Sequence, residues 1–272
     1  MPSNTHPVPR LRVEGLSKTY GGASDAHEVL SDISLEVHEG EFVCVVGPSG
    51  AGKTTLLRCL TSLMPPSAGA VYLNGEPLHG PNASISVVFQ EYTRSLMPWM
   101  TVTKNVGLPL RARGTDKAVI AELVENALAS VGLAGSGRKH PWQLSGGMQQ
   151  RVAIARALIT SPDVLIMDEP FASIDAQTRL ELEDLTLALQ RERGMTVVLV
   201  THDIDEAVYL SHRIVVLSKN PARVQEIVEV GLGEERDQIT TRETARFSEV
   251  RSHVLALIRQ SQMIGAASVS RV

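Results

Sequence analysis

The 272-residue sequence is poor in cysteine and aromatics: two cysteines, Cys44 and Cys59, and 4% Phe, Trp and Tyr. Two thiols at this spacing supply no disulfide framework and no metal site. They read as small buried hydrophobes in a reducing compartment. No apolar run approaches the ~20 residues of a membrane-spanning helix. The first twelve residues hold three prolines and no apolar core, so they do not read as a signal peptide. There is no basic excess: 26 Lys and Arg stand against 30 Asp and Glu, for a net charge of −4. Nucleic acid is therefore not expected as a partner. Internal repeats and low-complexity segments are also lacking. What is present is ordinary for a globular chain, with 43% hydrophobic residues and enough length for one full domain, or one domain in two lobes.

Along the chain, Leu11-Arg12-Val13 and Ile33-Ser34-Leu35-Glu36-Val37 alternate like half-buried strands. Phe42 to Val46 is a continuous apolar run that ends in glycine, the pattern of a buried parallel strand feeding a loop. Thr54 to Leu63 reads as the next helix, stopped by Pro65-Pro66. Val71-Tyr72-Leu73 before Asn74-Gly75, and Ser84 to Phe89, read as strands. From Glu91 to about Thr160 the pattern turns helical. Ala118 to Val131 shows 3.6-residue apolar spacing and is followed by Gly132; Met148 to Ile159 is a second helix. Val164 to Met167, Thr196 to Val200 and Arg213 to Ser218 read as further buried strands, with a helix over Thr178 to Arg193. Phe247, Val250, Val254, Leu257 and Ile258 mark a short amphipathic helix expected to pack on its own domain. Strands alternating with helices predict a parallel α/β sheet, with ligands beyond the carboxyl ends of the strands.

The polar motifs fall at those strand ends. The residues Gly47, Pro48, Ser49, Gly50, Ala51, Gly52, Lys53 and Thr54 fit the phosphate-loop pattern G-x-x-x-x-G-K-[ST], and Thr55 comes next. Glycines let backbone N–H groups turn inward onto phosphate oxygens, and the following helix points its positive end at the anion. Lys53 is expected on the β- and γ-phosphates of a bound nucleotide, and Thr54 on Mg²⁺. Asp168 ends an apolar strand, where its carboxylate can hold Mg²⁺. Glu169 follows and is the candidate general base for the attacking water. His202, after another buried strand, is placed to hydrogen-bond the γ-phosphate and hold that water in line. Gln90 ends the strand Ser84 to Phe89 and leads into the helical stretch, so it can reach Mg²⁺ or the water and sense the site. Tyr20 can stack on adenine.

With Ser145-Gly146-Gly147 before the helix at Met148, and Asp175 after Ser173-Ile174, these motifs stand in one order from about Leu11 to Ser218. That order resembles the ATP-binding cassette (ABC) ATPases. The resemblance implies a fold class of α/β type: a P-loop NTPase core with a mainly parallel sheet, an antiparallel β subdomain and an inserted α-helical subdomain. It implies one ATPase domain over residues 1–220, with helices inserted at about 91–160, and a C-terminal extension over 221–272. It further implies an ATP-dependent homodimer in which two copies sandwich two ATPs. Ser145, Gly146 and Gly147 then meet the nucleotide held by the second copy, and Asp175 lies across the same interface.

Phe89-Gln90-Glu91, Leu96-Met97-Pro98-Trp99-Met100-Thr101-Val102, Asn105-Val106 and Asp175-Ala176-Gln177-Thr178-Arg179 resemble the nitrate/sulfonate/taurine branch of bacterial importers. That branch implies a peripheral subunit on the cytoplasmic face of the inner membrane. It would dock on separate transmembrane permease subunits fed by an extracytoplasmic substrate-binding protein, and take up a small oxyanion or organosulfonate. Leu96, Met97, Pro98 and Trp99, if exposed, would form an apolar patch for a permease helix. Two stretches depart from the branch pattern: Ala172-Ser173-Ile174, where Gly-Ala-Leu is common, and Lys219-Asn220-Pro221-Ala222-Arg223, where Arg-Pro-Gly-Arg is frequent. The shared core chemistry leaves an exporter, another cargo or a soluble non-transport cassette as alternatives.

Overall fold

The computed structural model describes residues 8–22, 25–91 and 95–269, with side chains described to residue 263. The residues before Val8, part of the stretch read as carrying no signal peptide, lie outside this set. Two compact units emerge, residues 1–82 with 196–272 and residues 83–195.

The first unit contains a four-stranded antiparallel sheet and a mainly parallel one. The antiparallel sheet is built from β1 (Leu11–Tyr20), β2 (His27–Val37), β4 (Ala68–Leu73) and β5 (Glu76–Pro77), in the order β2-β1-β4-β5. Its strands alternate buried and exposed residues, since one face packs inward and the other meets solvent. In the second sheet, β3 (Phe42–Val46) lies between β8 (Thr196–Val200) and β9 (Arg213–Leu217), parallel to both. All residues of β3 and β8 are buried, as their unbroken apolar runs require. An antiparallel edge strand, β10 (Val224–Glu229), pairs with β9. The sheet thus continues past the boundary expected near residue 220.

The loop after β3 leads into α1 (Lys53–Leu60). This helix ends three residues before the expected Leu63, because Ser62 turns to φ 52° and the Thr61 hydroxyl caps the carbonyl of Leu57 at 3.0 Å. The C-terminal helix is not short: it runs from Ala245 to Val269, 25 residues. Phe247, Val250 and Val254 bury its first turns as expected. Beyond them the chain is rich in good helix formers and free of proline, and the Ser261 hydroxyl donates to Gln225 on β10, so nothing ends the helix early. Among the described residues no helix is long and apolar enough to cross a membrane.

The second unit holds β6 (Ile85–Val88) paired in parallel with β7 (Val164–Asp168). Between them in sequence come α2 (Val102–Val106), α3 (Leu108–Ala112), α4 (Lys117–Ser130) and α5 (Gly146–Leu158); α6 (Ala176–Arg193) follows β7. The expected helices at 118–131, 148–159 and 178–193 appear within two residues of their expected ends. Each starts one or two residues early, behind a cap: Asp116, Ser145 and Asp175 accept backbone amides there. Parallel strands, the antiparallel subdomain and the helices between β6 and β7 are the elements of the expected fold class.

Glu41, just before β3, binds Arg213 at the start of β9, with Arg213 Nη2 donating to Oε2 at 2.7 Å, and it accepts the His38 amide at 2.8 Å. Burial raises its pKa, but the Arg213 guanidinium and the His38 amide outweigh it and hold the carboxyl below the usual range. A depressed folded pKa contributes stability above the unfolded value and loses it as pH falls through the folded one. Glu41→Gln should lower Tm by about 2–6 °C near neutral pH. The difference should close towards about pH 3 in a thermal series.

Candidate functional site

The phosphate loop lies in the first unit, at the carboxyl end of β3. It is closed by its own backbone, with the Ala51 amide donating to the Pro48 carbonyl at 3.1 Å. Lys53 is buried, and its ammonium donates to the carbonyls of Gly47 at 2.9 Å and Pro48 at 3.3 Å. Gly52 stands at φ 72° as the residue before α1. A Cβ there would come within 2.8 Å of both Val29 and Leu30 on β2, so glycine is required by conformation and by space. Ser49, Gly50 and Thr54 are exposed, and Thr55 is half-buried. Tyr20 ends β1 with its hydroxyl 3.3 Å from the Thr55 hydroxyl and 3.1 Å from Met64 Sδ. Its ring is thereby held beside α1 and is 38% exposed.

His202 also belongs to this unit and is exposed. The turn that carries it is tied down. The buried Thr201 hydroxyl donates to Glu206 at 2.7 Å, and Asp203 accepts the amides of Asp205 and Glu206 to start α7 (Ile204–Leu210).

The second unit carries the acids. Asp168 is the last residue of β7 and is 6% exposed. Glu169 has φ 42°, left-handed backbone in a non-glycine residue that precedes Pro170. Such a conformation costs on the order of 1–3 kcal/mol and persists where the surroundings over-determine it. The buried strand on one side and the fully buried Phe171 on the other supply that constraint. Gln90 donates from Nε2 to Glu169 Oε2 at 3.3 Å, so the structure brings these two candidates together.

Ser145 and Asp175 act as helix caps. The Ser145 hydroxyl accepts the Met148 amide at 3.3 Å, and Asp175 Oδ1 accepts the Thr178 amide at 3.0 Å. The Thr178 amide and hydroxyl keep the Asp175 carboxyl below the usual range. Ser145 and Gly146 are exposed and Gly147 is buried. A Cβ on Gly147 would stand 2.2 Å from Thr178 Cγ2, so this glycine lets α5 approach α6.

The sequence profile of the ABC transporter family matches residues 30–172, more than half of the chain. The chain belongs to the ABC transporter family. Among similar ABC proteins, an aliphatic sulfonates import ATP-binding protein of Burkholderia cenocepacia is 46% identical over 85% of this chain and 82% of its own length. A nitrate import ATP-binding protein of Synechococcus elongatus is 39% identical, covering 90% of each chain. A solved dimeric ATP-binding cassette in a post-hydrolysis state with ADP and Pi superposes with a TM-score of 0.72. That match has 32% identity over 82% of this chain and all of that one.

Within this cassette the expected apolar patch is smaller than Leu96 to Trp99. Leu96 is 1% exposed and packs inside, while Trp99 is 72% exposed. The loop's shape comes from Asn105, fully buried, whose amide donates to the carbonyls of Met97, Met100 and Thr101 and accepts the Met97 amide at 2.8 Å. Arg156, part-buried on α5, adds 2.6 and 2.8 Å bonds to the carbonyl and hydroxyl of Ser95. The residues themselves announce neither role, since a buried asparagine has no signature apart from its surroundings. Trp142, 70% exposed and stacked on His140, stands just before Ser145-Gly146-Gly147.

Gly147→Ala should destabilise the protein by about 1–3 kcal/mol in denaturant unfolding without nucleotide, through overpacking. Adding Thr178→Ser, which removes the obstructing methyl, should restore most of it. A failure of that rescue would show that the clash is not what demands glycine.

Proposed function

We propose that this cassette is the ATP-hydrolysing subunit of an importer for a small oxyanion or organosulfonate, working through separate transmembrane permease subunits. The relatives named for sulfonate and nitrate import support the cargo class. The cassette family and the dimeric neighbour support a homodimer docked peripherally on a permease at the cytoplasmic face. The cargo would be chosen by an extracytoplasmic binding protein and the permease rather than by this chain.

The observation that carries the hydrolytic reading is the strained Glu169, held at the end of a buried strand and hydrogen-bonded to Gln90. Hydrolysis forms a bond from water oxygen to the γ-phosphorus, breaks the bond to the ADP oxygen and releases a proton. Glu169 would accept that proton, and His202 would orient the water. Lys53 and the amides of Gly47 to Thr55 would hold the phosphates, and Tyr20 the adenine. Ser145, Gly146, Gly147 and Asp175 would meet the nucleotide bound by the second copy. The Thr54 hydroxyl, the Asp168 carboxylate and the Gln90 amide oxygen are hard oxygen donors that suit Mg²⁺, which would neutralise phosphate charge when bound. Gln90 and the loop ending at Trp99 would pass the state of the site to the permease.

Glu169→Gln should keep ATP affinity, lose roughly 100-fold or more in turnover, and shift from monomer to dimer in solution with ATP and Mg²⁺. Rapid turnover by this variant would sink the assignment of the base.

A further inference from the structure

The stretch Lys219 to Arg223, which departs from the importer-branch pattern, lies against the phosphate loop. β9 and β3 are parallel neighbours, with Val46 opposite Val216, so both release their next residues at the same end of the sheet. Where β3 gives way to Gly47, a Cβ on that glycine would stand 3.1 Å from both the Cβ and the carbonyl of Leu217. Two residues further along, Lys219 reaches Gly50. Its Cε and Nζ lie 3.6 and 3.7 Å from where a Gly50 Cβ would be.

This placement is held from both sides. The Ser218 amide donates to the Arg223 carbonyl at 2.9 Å, and the Arg223 amide donates to the Ser218 hydroxyl at 3.0 Å. Ala222, 1% exposed, exchanges 2.9 Å hydrogen bonds with Val29 and Ser31 of β2. The backbone at Lys219 is therefore anchored to the sheet and to the strand that packs against Gly52.

Lys219 is half-buried and, among the described residues, has no ion pair or hydrogen bond. Lys53, by contrast, is engaged with the carbonyls of Gly47 and Pro48. An ammonium group without a carboxylate, set against a loop whose amides gather anions, adds positive potential at that loop. Its flexible four-carbon stem gives it the reach to meet a phosphate oxygen.

We propose that Lys219 is a second phosphate-binding cation of the nucleotide site, contacting the polyphosphate of ATP on the Gly50 side of the loop. The inference rests on the reading of Gly47 to Thr54 as the ATP site. The test is the Kd of ATP by calorimetry for Lys219→Met, Lys219→Arg and Lys53→Ala, with Tm measured for each without nucleotide. Lys219→Met should weaken ATP roughly 5- to 30-fold at unchanged Tm, with the loss shrinking at high salt. Lys219→Arg, which keeps the charge, should restore affinity to within about 3-fold.

Unchanged ATP affinity in Lys219→Met while Lys53→Ala loses binding would overturn the role of Lys219 and leave the loop reading intact. If Lys53→Ala also binds normally, the loop reading itself fails and this proposal with it. A fall in both Tm and affinity that arginine does not rescue would make Lys219 a packing residue and overturn the proposal. So would normal ATP affinity with loss of the ATP-dependent dimer, since the cation would then face the second copy.

Discussion

The parallel pairing of β3 with β8 and β9 is the constraint on which the first unit depends. A strand buried on both faces and bonded on both edges can end only where the chain leaves the sheet at once. At Gly47 it does so, and the following amides have no strand to pair with. They are left to the loop itself and to whatever anion it holds. The tight packing of Gly47 on Leu217, and of Gly52 on Val29 and Leu30, gives the loop no other course. Lys53 completes this closure by tying its ammonium back to the first two carbonyls. The same pairing brings the end of β9 beside the loop, so a residue outside the familiar motif becomes its neighbour.

The second unit solves a different problem, the rigid presentation of short polar side chains. Asp168 is fixed by its place as the last residue of a buried strand, and Glu169 by a backbone turn that is costly unless its flanks hold it. Ser145 and Asp175 are held because each is the N-cap of a helix, so the group that starts the helix is also the group expected to meet a nucleotide. Gly147 adds a steric reason to the proposed functional one, since a Cβ there would meet Thr178 of α6. Removing a cap or the strand-end acid would therefore disturb stability as well as the chemistry proposed for it. A measurement that separates the two is worth more than activity alone.

For the transport reading, the division of labour is physical. This cassette carries a site for a reaction common to many cargoes and exposes one large aromatic, Trp99, on a loop shaped by the buried Asn105. Nothing in that arrangement distinguishes sulfonate from nitrate. The similarity to importer subunits of both kinds agrees with a chain whose work is to bind and hydrolyse ATP while partners choose what moves.

Much of the protein was legible in the sequence because local chemistry dictated it. The unbroken apolar runs at Phe42 to Val46 and Thr196 to Val200 can only be doubly buried strands. The phosphate-loop glycines, the strand-end Asp168 and Glu169, and the order of the motifs carry the family by themselves. What was misread or left open depended on distant partners. The C-terminal helix was longer than its apolar stripe, because helix propensity and a hydrogen bond to Gln225 carried it on. Leu96 turned inward because Asn105 folded its loop. The sequence by itself determined most of the strands and helices, the motifs and the family, since those follow from periodicity and from residue types at fixed spacing. Only the tertiary structure decided that Gln90 meets Glu169, that Gly147 faces Thr178 and that Lys219 lies on Gly50. These contacts join residues 79, 31 and 169 positions apart, and local spacing does not encode such distances.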